Sequence, residues 1–331
     1  MSIATLHRQA GTDNPRMIEE AAPGPPSTSA VDARSVCLKI ADIGITLRRA
    51  APDLPLRIVG PMSQFVTTRE AQPDVTVSID WDEAGEDQGG RLLFDSGSIW
   101  RLYELEDGRQ EFRLAAPFSG WQTYKVARFD AGWTRGEVLY RRQYFVPGEP
   151  VYPLEYPLDE VLVSNLLARG RGIEIHACGL SDHDGSGYLF PGQSGAGKST
   201  TASLWAQTDA NARVLSDERV ILRQREGRIW MYGTPWHGDA RLARADSAPL
   251  TRIFFLARGT RNELARQNRA AAAARLFACS FPPFYSADGI SFTLEFLDEL
   301  TRIVSCDELR FVPDRRVIEF IRERAATGHW S

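Results

Sequence analysis

The chain has no apolar run approaching the ~18 residues that a bilayer-spanning helix needs, so no membrane partner is expected. Near its N-terminus there is no basic stretch followed by an apolar one, which is the pattern of a secretory leader. Its four cysteines, Cys37, Cys178, Cys279 and Cys306, are scattered without Cys-x-x-Cys spacing. That argues against a structural zinc site or a disulfide framework, and for reduced thiols in the cytoplasm. An excess of one charge is missing too: 39 Lys and Arg against 43 Asp and Glu give a net charge of −4. Binding to nucleic acid usually needs a basic surface, so no nucleic-acid partner is expected. No internal repeat is visible.

What is present divides the 331 residues into three stretches. Residues 1–33 hold Pro15, Pro23, Pro25 and Pro26 among Ser, Thr and Ala, with little apolar periodicity, and read as a flexible tail. Residues 34–148 read as a β-rich domain. Val75 to Trp81 alternates with period two, and comparable runs lie at 36–40, 43–47, 91–95, 99–105, 110–115, 122–129 and 137–145. Turn residues such as Asp95-Ser96-Gly97 and Asp130-Ala131-Gly132 separate them. Their aromatic side chains, Trp100, Phe112, Trp121, Tyr124, Phe129 and Trp133 among them, read as core or sheet surface rather than as a ligand platform. Residues 149–331 mix both kinds of element. A helix runs from near Pro157 to a stop at Gly170; strands fall at 173–180, 188–190, 213–215, 218–224, 228–232, 252–257 and 309–311; helices fall at 262–279, 291–304 and 314–325.

The third stretch holds the most specific signal. Gly192-Gln193-Ser194-Gly195-Ala196-Gly197-Lys198-Ser199 is a complete G-x-x-x-x-G-K-[ST] phosphate loop, followed by Thr200. Glycines let the backbone wrap a polyphosphate with its N–H groups pointing inward. A lysine at this position reaches the terminal phosphates, and the serine hydroxyl can ligate Mg²⁺. The apolar strand Tyr188-Leu189-Phe190 leads in, and a helix from Ser199 leads out with its N-terminus toward the anion. The strand before it turns through Ser181–Gly187, so a hairpin precedes the loop instead of the parallel unit of a dinucleotide-binding fold.

Phosphoryl transfer needs more than a cradle: a metal support and a group that orients the nucleophile. About twenty residues beyond Lys198, the apolar strand Val214-Leu215 ends in Ser216-Asp217-Glu218-Arg219. In an extended strand the two acids face opposite sides, and a bend would bring both toward one metal. The plain alternative is a solvated charge cluster at a turn. His176 alternates with Ile175 and Ala177, so its ring points away from the apolar face and could tune a catalytic acid; a lone strand histidine is otherwise structural. Gly233-Thr234-Pro235-Trp236-His237-Gly238-Asp239, with Arg241 and Arg244 behind it, reads either as a loop that contacts nucleotide or acceptor or as a turn packed by Trp236.

In this order, His176, the hairpin, the phosphate loop and Leu215-Ser216-Asp217-Glu218-Arg219-Val220 resemble the catalytic domain of HPr kinase/phosphorylase and its relatives, over residues 160–235. The resemblance implies an α/β (α+β) P-loop domain similar in fold to phosphoenolpyruvate carboxykinase, here preceded by the β-rich domain. It implies ATP and Mg²⁺ as cofactors, with residues Gly192, Gln193, Ser194, Gly195, Ala196, Gly197, Lys198, Ser199 and Thr200 around the phosphates. Asp217 then matches the base, His176 its partner, and Ser199 with the Asp217–Glu218 pair the metal support. The family's hexamers extend the implication to a homo-oligomer. Glu218 stands where the family has a second Asp, Thr200 where it has an acid, and the later Gly-Arg signature is missing, which points away from HPr itself as substrate. Some relatives resemble kinases of a serine in a ribosomally made peptide, including lasso-peptide precursors. The expectation is therefore a cytoplasmic kinase acting on a hydroxyl, the serine of a peptide or protein. The alternatives are a kinase of a small-molecule hydroxyl and a nucleotide-binding regulatory or scaffold protein with little turnover.

Overall fold

Alternating burial organises the first half of the chain. Val75, Val77, Ile79 and Trp81 are buried while the residues between them are partly open, the pattern of a strand with one face on the core. The computed structural model describes residues 30–31, 34–68, 72–83, 87 and 89–330. The protein is a mixed α/β structure that divides into two units, Met1–Leu158 and Asp159–Ser331.

The strands of the first unit are β1 (Ala30–Val31), β2 (Ser35–Ile40), β3 (Ile43–Arg49), β4 (Leu56–Arg57), β5 (Val66–Thr67), β6 (Val75–Trp81), β7 (Arg91–Asp95), β8 (Trp100–Glu104), β9 (Gln110–Ala115), β10 (Thr123–Phe129) and β11 (Arg135–Tyr140). Nine of them form one sheet in the order β5-β2-β3-β6-β11-β10-β9-β8-β7. The neighbours β3–β6 and β6–β11 are parallel, which leaves antiparallel hairpins on either side. Phe129 and Trp133 stack at 4.7 Å between ring centres and Phe112 packs edge-on to both, as expected of sheet core.

Three expectations change here. Trp121 is 59% exposed in a turn at positive φ, so it belongs to neither the core nor a sheet face. The last strand ends at Tyr140, and Arg142–Tyr144 form a short 3₁₀ helix. The division falls after Leu158 instead of 148, because residues beyond 148 pack on the β-rich unit: Val151 bridges to Leu56, and the buried Lys125 ammonium lies 2.6 Å from Glu155. Of the expected tail, Ala30–Val31 pair with Leu56–Arg57, and the remainder lies outside the described residues.

The second unit contains β12 (Ile173–Ser181), β13 (Gly187–Pro191), β14 (Arg213–Ser216), β15 (Arg219–Arg225), β16 (Arg228–Gly233), β17 (Ser247–Arg258), β18 (Glu263–Arg266) and β19 (Ser305–Phe311). Its helices are α1 (Leu158–Leu167, starting at the boundary), α2 (Lys198–Thr208), α3 (Arg269–Phe277), α4 (Ala287–Ile303) and α5 (Arg316–Thr327). Two long strands each serve two sheets. Ile173–His176 of β12 pair with β15, while Ala177–Ser181 pair with β13 and, in part, with β14. On β17, Trp230, Met231 and Tyr232 of β16 pair near its start, and β19 pairs along its second half. β13 also lies parallel to β17, so β12-β15-β16-β17-β13 closes into a circuit. Gly187 permits that closure, since a Cβ there would sit 2.0 Å from the Pro249 carbonyl oxygen.

All nine residues of β12 are buried, one apolar cluster lying around Ile175, Val220 and Ile253 and another around Phe190, Trp205 and Phe254. The helix expected over 262–279 is shorter. Glu263–Arg266 pair with β19 as a strand, and the helix starts at Arg269 after Asn268, whose side chain accepts from the Ala271 N–H. Pairing to an existing strand overrides the helical composition of that segment. Among the described residues, no helix is long and apolar enough to cross a membrane.

Candidate functional site

The phosphate loop connects β13 to α2. Gly195 and Gly197 hold φ of 82° and 104°, a region that L side chains avoid, and this lets the backbone fold back over its own start. The Gly192 N–H donates to the His176 carbonyl at 3.2 Å, and Gln193 Nε2 donates to the Ala278 carbonyl at 2.8 Å. The loop is thus tied to β12 on one side and to the end of α3 on the other. Helix α2 starts from Gly197 with no side chain capping its N-terminus and no acid in its first turn. Uncapped N–H groups and the positive end of the helix dipole together make a ready anion site. Lys198 is buried, its Nζ 3.3 Å from the Gln193 carbonyl. Burial lowers its proton affinity, and the nearby Glu218 carboxylate works the other way. The Ser199 hydroxyl is half-buried and free of side-chain hydrogen bonds among the described residues, and Thr200 is exposed.

The two acids sit in a bend between β14 and β15 and take different partners. Asp217 is fully buried and its carboxylate takes three backbone N–H groups: Gly238 at 3.0 Å, Ala240 at 2.9 Å and Leu242 at 3.3 Å. It is a peg around which the 238–242 loop is wound. Glu218 approaches the same glycine: a Cβ at Gly238 would fall 3.1 Å from Glu218 Oε2 and 2.9 Å from Asp217 Oδ2. Glu218 Oε1 lies 2.8 Å from His176 Nε2 and 2.8 Å from an Arg219 Nη. Burial opposes ionisation of Glu218, but His176, Arg219 and Lys198 outweigh it and hold the carboxyl at about 2. His176 is held below the ordinary imidazole range, first by burial, with Lys198 and Arg219 adding and Glu218 opposing. At neutral pH the pair is therefore a carboxylate beside a neutral imidazole. The His176 backbone is fixed as well, its N–H donating to the Cys279 carbonyl at 2.7 Å.

The Gly233–Asp239 loop behaves mainly as a packed turn. Thr234 Oγ1 donates to the Arg219 carbonyl at 2.7 Å, and Trp236 Nε1 donates to Asp159 at 2.9 Å. Gly233 admits no side chain, since a Cβ would lie 2.1 Å from the Arg244 carbonyl oxygen and 2.6 Å from that of Leu215. His237 turns onto the neighbouring Gly238 carbonyl at 3.0 Å, and Arg241 and Arg244 are exposed.

Of the residues singled out from the sequence, the phosphate loop, Lys198, His176 and Glu218 come together. Asp217 is adjacent in the chain, and its carboxylate accepts three backbone N–H groups of the 238–242 loop. Sequence reasoning missed Glu160 and Glu174, which surround Arg219; a charged residue inside the otherwise apolar run Ile173–Leu180 was the available signal. A second cluster, Asp182, His183 and Asp209, has metal-like spacing. Arg322 already fills it, with Nη2 2.5 Å from Asp182 and 2.7 Å from Asp209, so it is an ion-pair clamp between α5 and the hairpin. In comparisons with known proteins, no family model and no curated protein matches the chain.

Proposed function

We propose that this protein is an ATP- and Mg²⁺-dependent phosphotransferase of the HPr-kinase and carboxykinase kind, moving the γ-phosphoryl group onto a hydroxyl, the serine of a peptide or protein. The observation that carries this reading is the meeting of an uncapped helix N-terminus, a buried lysine and an ionised carboxylate beside a neutral imidazole. The first two bind polyphosphate; the last two serve a hydroxyl nucleophile.

In this reading the loop amides and Lys198 hold the β- and γ-phosphates and stabilise the charge that develops on the transferring group. Ser199 is the side chain that fits Mg²⁺, because its hydroxyl stands free in the first turn of α2, whereas Asp217 has its carboxylate engaged by three backbone donors. Mg²⁺, when bound, neutralises charge between phosphate oxygens. Glu218 accepts the hydroxyl proton, and His176 keeps its carboxylate in place. A carboxylate held at about 2 is a weak proton sink, but an arriving triphosphate offsets the Lys198 charge that helps hold it low. In a loose transition state the base mainly orients the hydroxyl and takes its proton late.

The test is incubation with γ-labelled ATP, Mg²⁺ and candidate peptides. Glu218→Gln should reduce transfer by about 10²- to 10⁴-fold with nucleotide binding intact. If Lys198→Ala kept full ATP consumption and acceptor phosphorylation, the reading would be wrong. Nucleotide binding without transfer across a broad acceptor set would favour a regulatory protein instead.

A further inference from the structure

Behind Glu218 lies a buried row of ionisable side chains that the transfer reading does not use, in which burial and the neighbouring Glu160 push the Glu174 carboxyl well up. Arg219 opens β15 with its side chain 10% exposed. One Nη lies 2.8 Å from Glu218 Oε1, while Nε lies 3.1 Å from Glu160 Oε1 and 3.5 Å from Glu174 Oε1. The guanidinium also rests 4.2 Å over the Phe281 ring. Ser164 on α1 then closes the row, donating to Glu174 at 2.9 Å. The backbone of Arg219 is fixed too, its N–H directed at Ser216 Oγ and its carbonyl accepting from Thr234 Oγ1.

Such an arrangement is an expensive way to gain stability. Burying each ion costs several kcal/mol, and apolar residues of similar volume often do as well or better. What it provides is orientation. Glu218 is 28% exposed, and a glutamate has three soft torsions to immobilise. Arg219 donates to Oε1 and His176 Nε2 sits 2.8 Å from the same oxygen without hydrogen-bond geometry, which leaves Oε2 without a hydrogen bond among the described residues. A lysine could not replace this geometry, because a single ammonium lacks the planar fork that meets carboxylates on two sides.

We propose that Arg219 is a positioning residue for the transfer site: its guanidinium, braced by Glu160 and Glu174, clamps Oε1 of Glu218 and presents Oε2 to the acceptor hydroxyl. This rests on the reading of Glu218 as the group that takes the acceptor proton. The braced guanidinium couples α1 and the start of β12 to the reacting carboxylate, so Glu160 influences transfer without touching substrate.

The test is a kinetic cycle of Arg219→Lys and Glu218→Gln, with Glu160→Gln as a second route to the same loosening, and crystal structures of wild type and the lysine variant. Arg219→Lys keeps the charge but should lower kcat by roughly tenfold to a hundredfold, with the Kd for Mg-ATP unchanged. Glu160→Gln should lower kcat in the same sense by a smaller factor. In the Glu218→Gln background, Arg219→Lys should cost less than about twofold more, because the group it positions is already gone. The lysine variant's crystal structure should show Glu218 Oε1 parted from His176 Nε2. The proposal is overturned if the losses multiply independently of Glu218, or if the Glu218–His176 contact survives in the lysine variant. Wild-type protein that transfers no phosphate at all, or a Lys198→Ala variant that still does, would overturn the transfer reading, and the crystal structures would still decide whether Arg219 clamps Glu218.

Discussion

Asp217→Asn separates a structural acid from a catalytic one. The native carboxylate, with no solvent exposure, accepts N–H groups from Gly238, Ala240 and Leu242 at 2.9 to 3.3 Å. A hydrogen bond to a charged group contributes about 1.5–3 kcal/mol. The asparagine amide keeps one acceptor oxygen, which can still serve Gly238 and Leu242, but the bonds lose their charge and weaken by about half. Its NH₂ then faces the Ala240 N–H, donor against donor, in a place water does not reach. The lost bond and the two weakened ones together cost about 3–6 kcal/mol, a large share of a total stability of about 5–15 kcal/mol. Urea unfolding should show the midpoint falling with the slope unchanged. Limited proteolysis should open the 238–242 loop first. If Asp217 were the base, the same substitution would abolish transfer and leave stability within about 0.5 kcal/mol of wild type, as ordinary substitutions away from special features do. That pair of results would refute the assignment of Asp217 as the loop's peg.

Two further outcomes follow from the same geometry. Glu218 has its carboxyl depressed to about 2 from an ordinary 4.5, so it binds protons more weakly folded than unfolded. Its stabilisation is complete above pH about 4.5 and lost as pH falls toward 2, a contribution of up to about 3 kcal/mol; Glu218→Gln should flatten stability across that window, measured by denaturation at a series of pH values. Gly233→Ala places a methyl 2.1 Å from one carbonyl oxygen and 2.6 Å from another, both backbone atoms. The β16 end or the 242–244 segment must shift, at a cost of roughly 2–4 kcal/mol, read as a lowered unfolding midpoint and weakened packing of Trp236 in near-ultraviolet dichroism.

How much of this could be read from the sequence depended on the range of the interactions. The phosphate loop is local: glycines at the left-handed positions 195 and 197, a strand before and a helix after, all within about twenty residues, need no distant partner. Strands such as Val75–Trp81 announced themselves by alternation. The sharing of β12 and β17 between two sheets did not, because it depends on pairings between segments far apart in the chain. β18 was hidden by its Glu-Leu-Ala-Arg composition, which favours helix until β19 offers an edge. A strictly extended strand would send Asp217 and Glu218 to opposite sides; the bend at these two residues instead brings both carboxylates to Gly238. Their partners come from far along the chain: the 238–242 loop returns to Asp217, and Arg219 beside Glu218 reaches Glu160 and Glu174. Neither relation leaves a local mark in the sequence beyond a charge inside a buried strand.

The central claim is that residues 192–200 hold a nucleoside triphosphate with Lys198 on its terminal phosphates. Calorimetric titration of the full chain with Mg-ATP, wild type against Lys198→Ala, tests it most directly. Loss of a charge-assisted contact of about 1.5–3 kcal/mol corresponds to roughly tenfold or more in Kd. The account predicts saturable one-site binding by the wild type that weakens at least that much in the variant. It is contradicted if the wild-type chain shows no binding, or if both proteins bind Mg-ATP equally well.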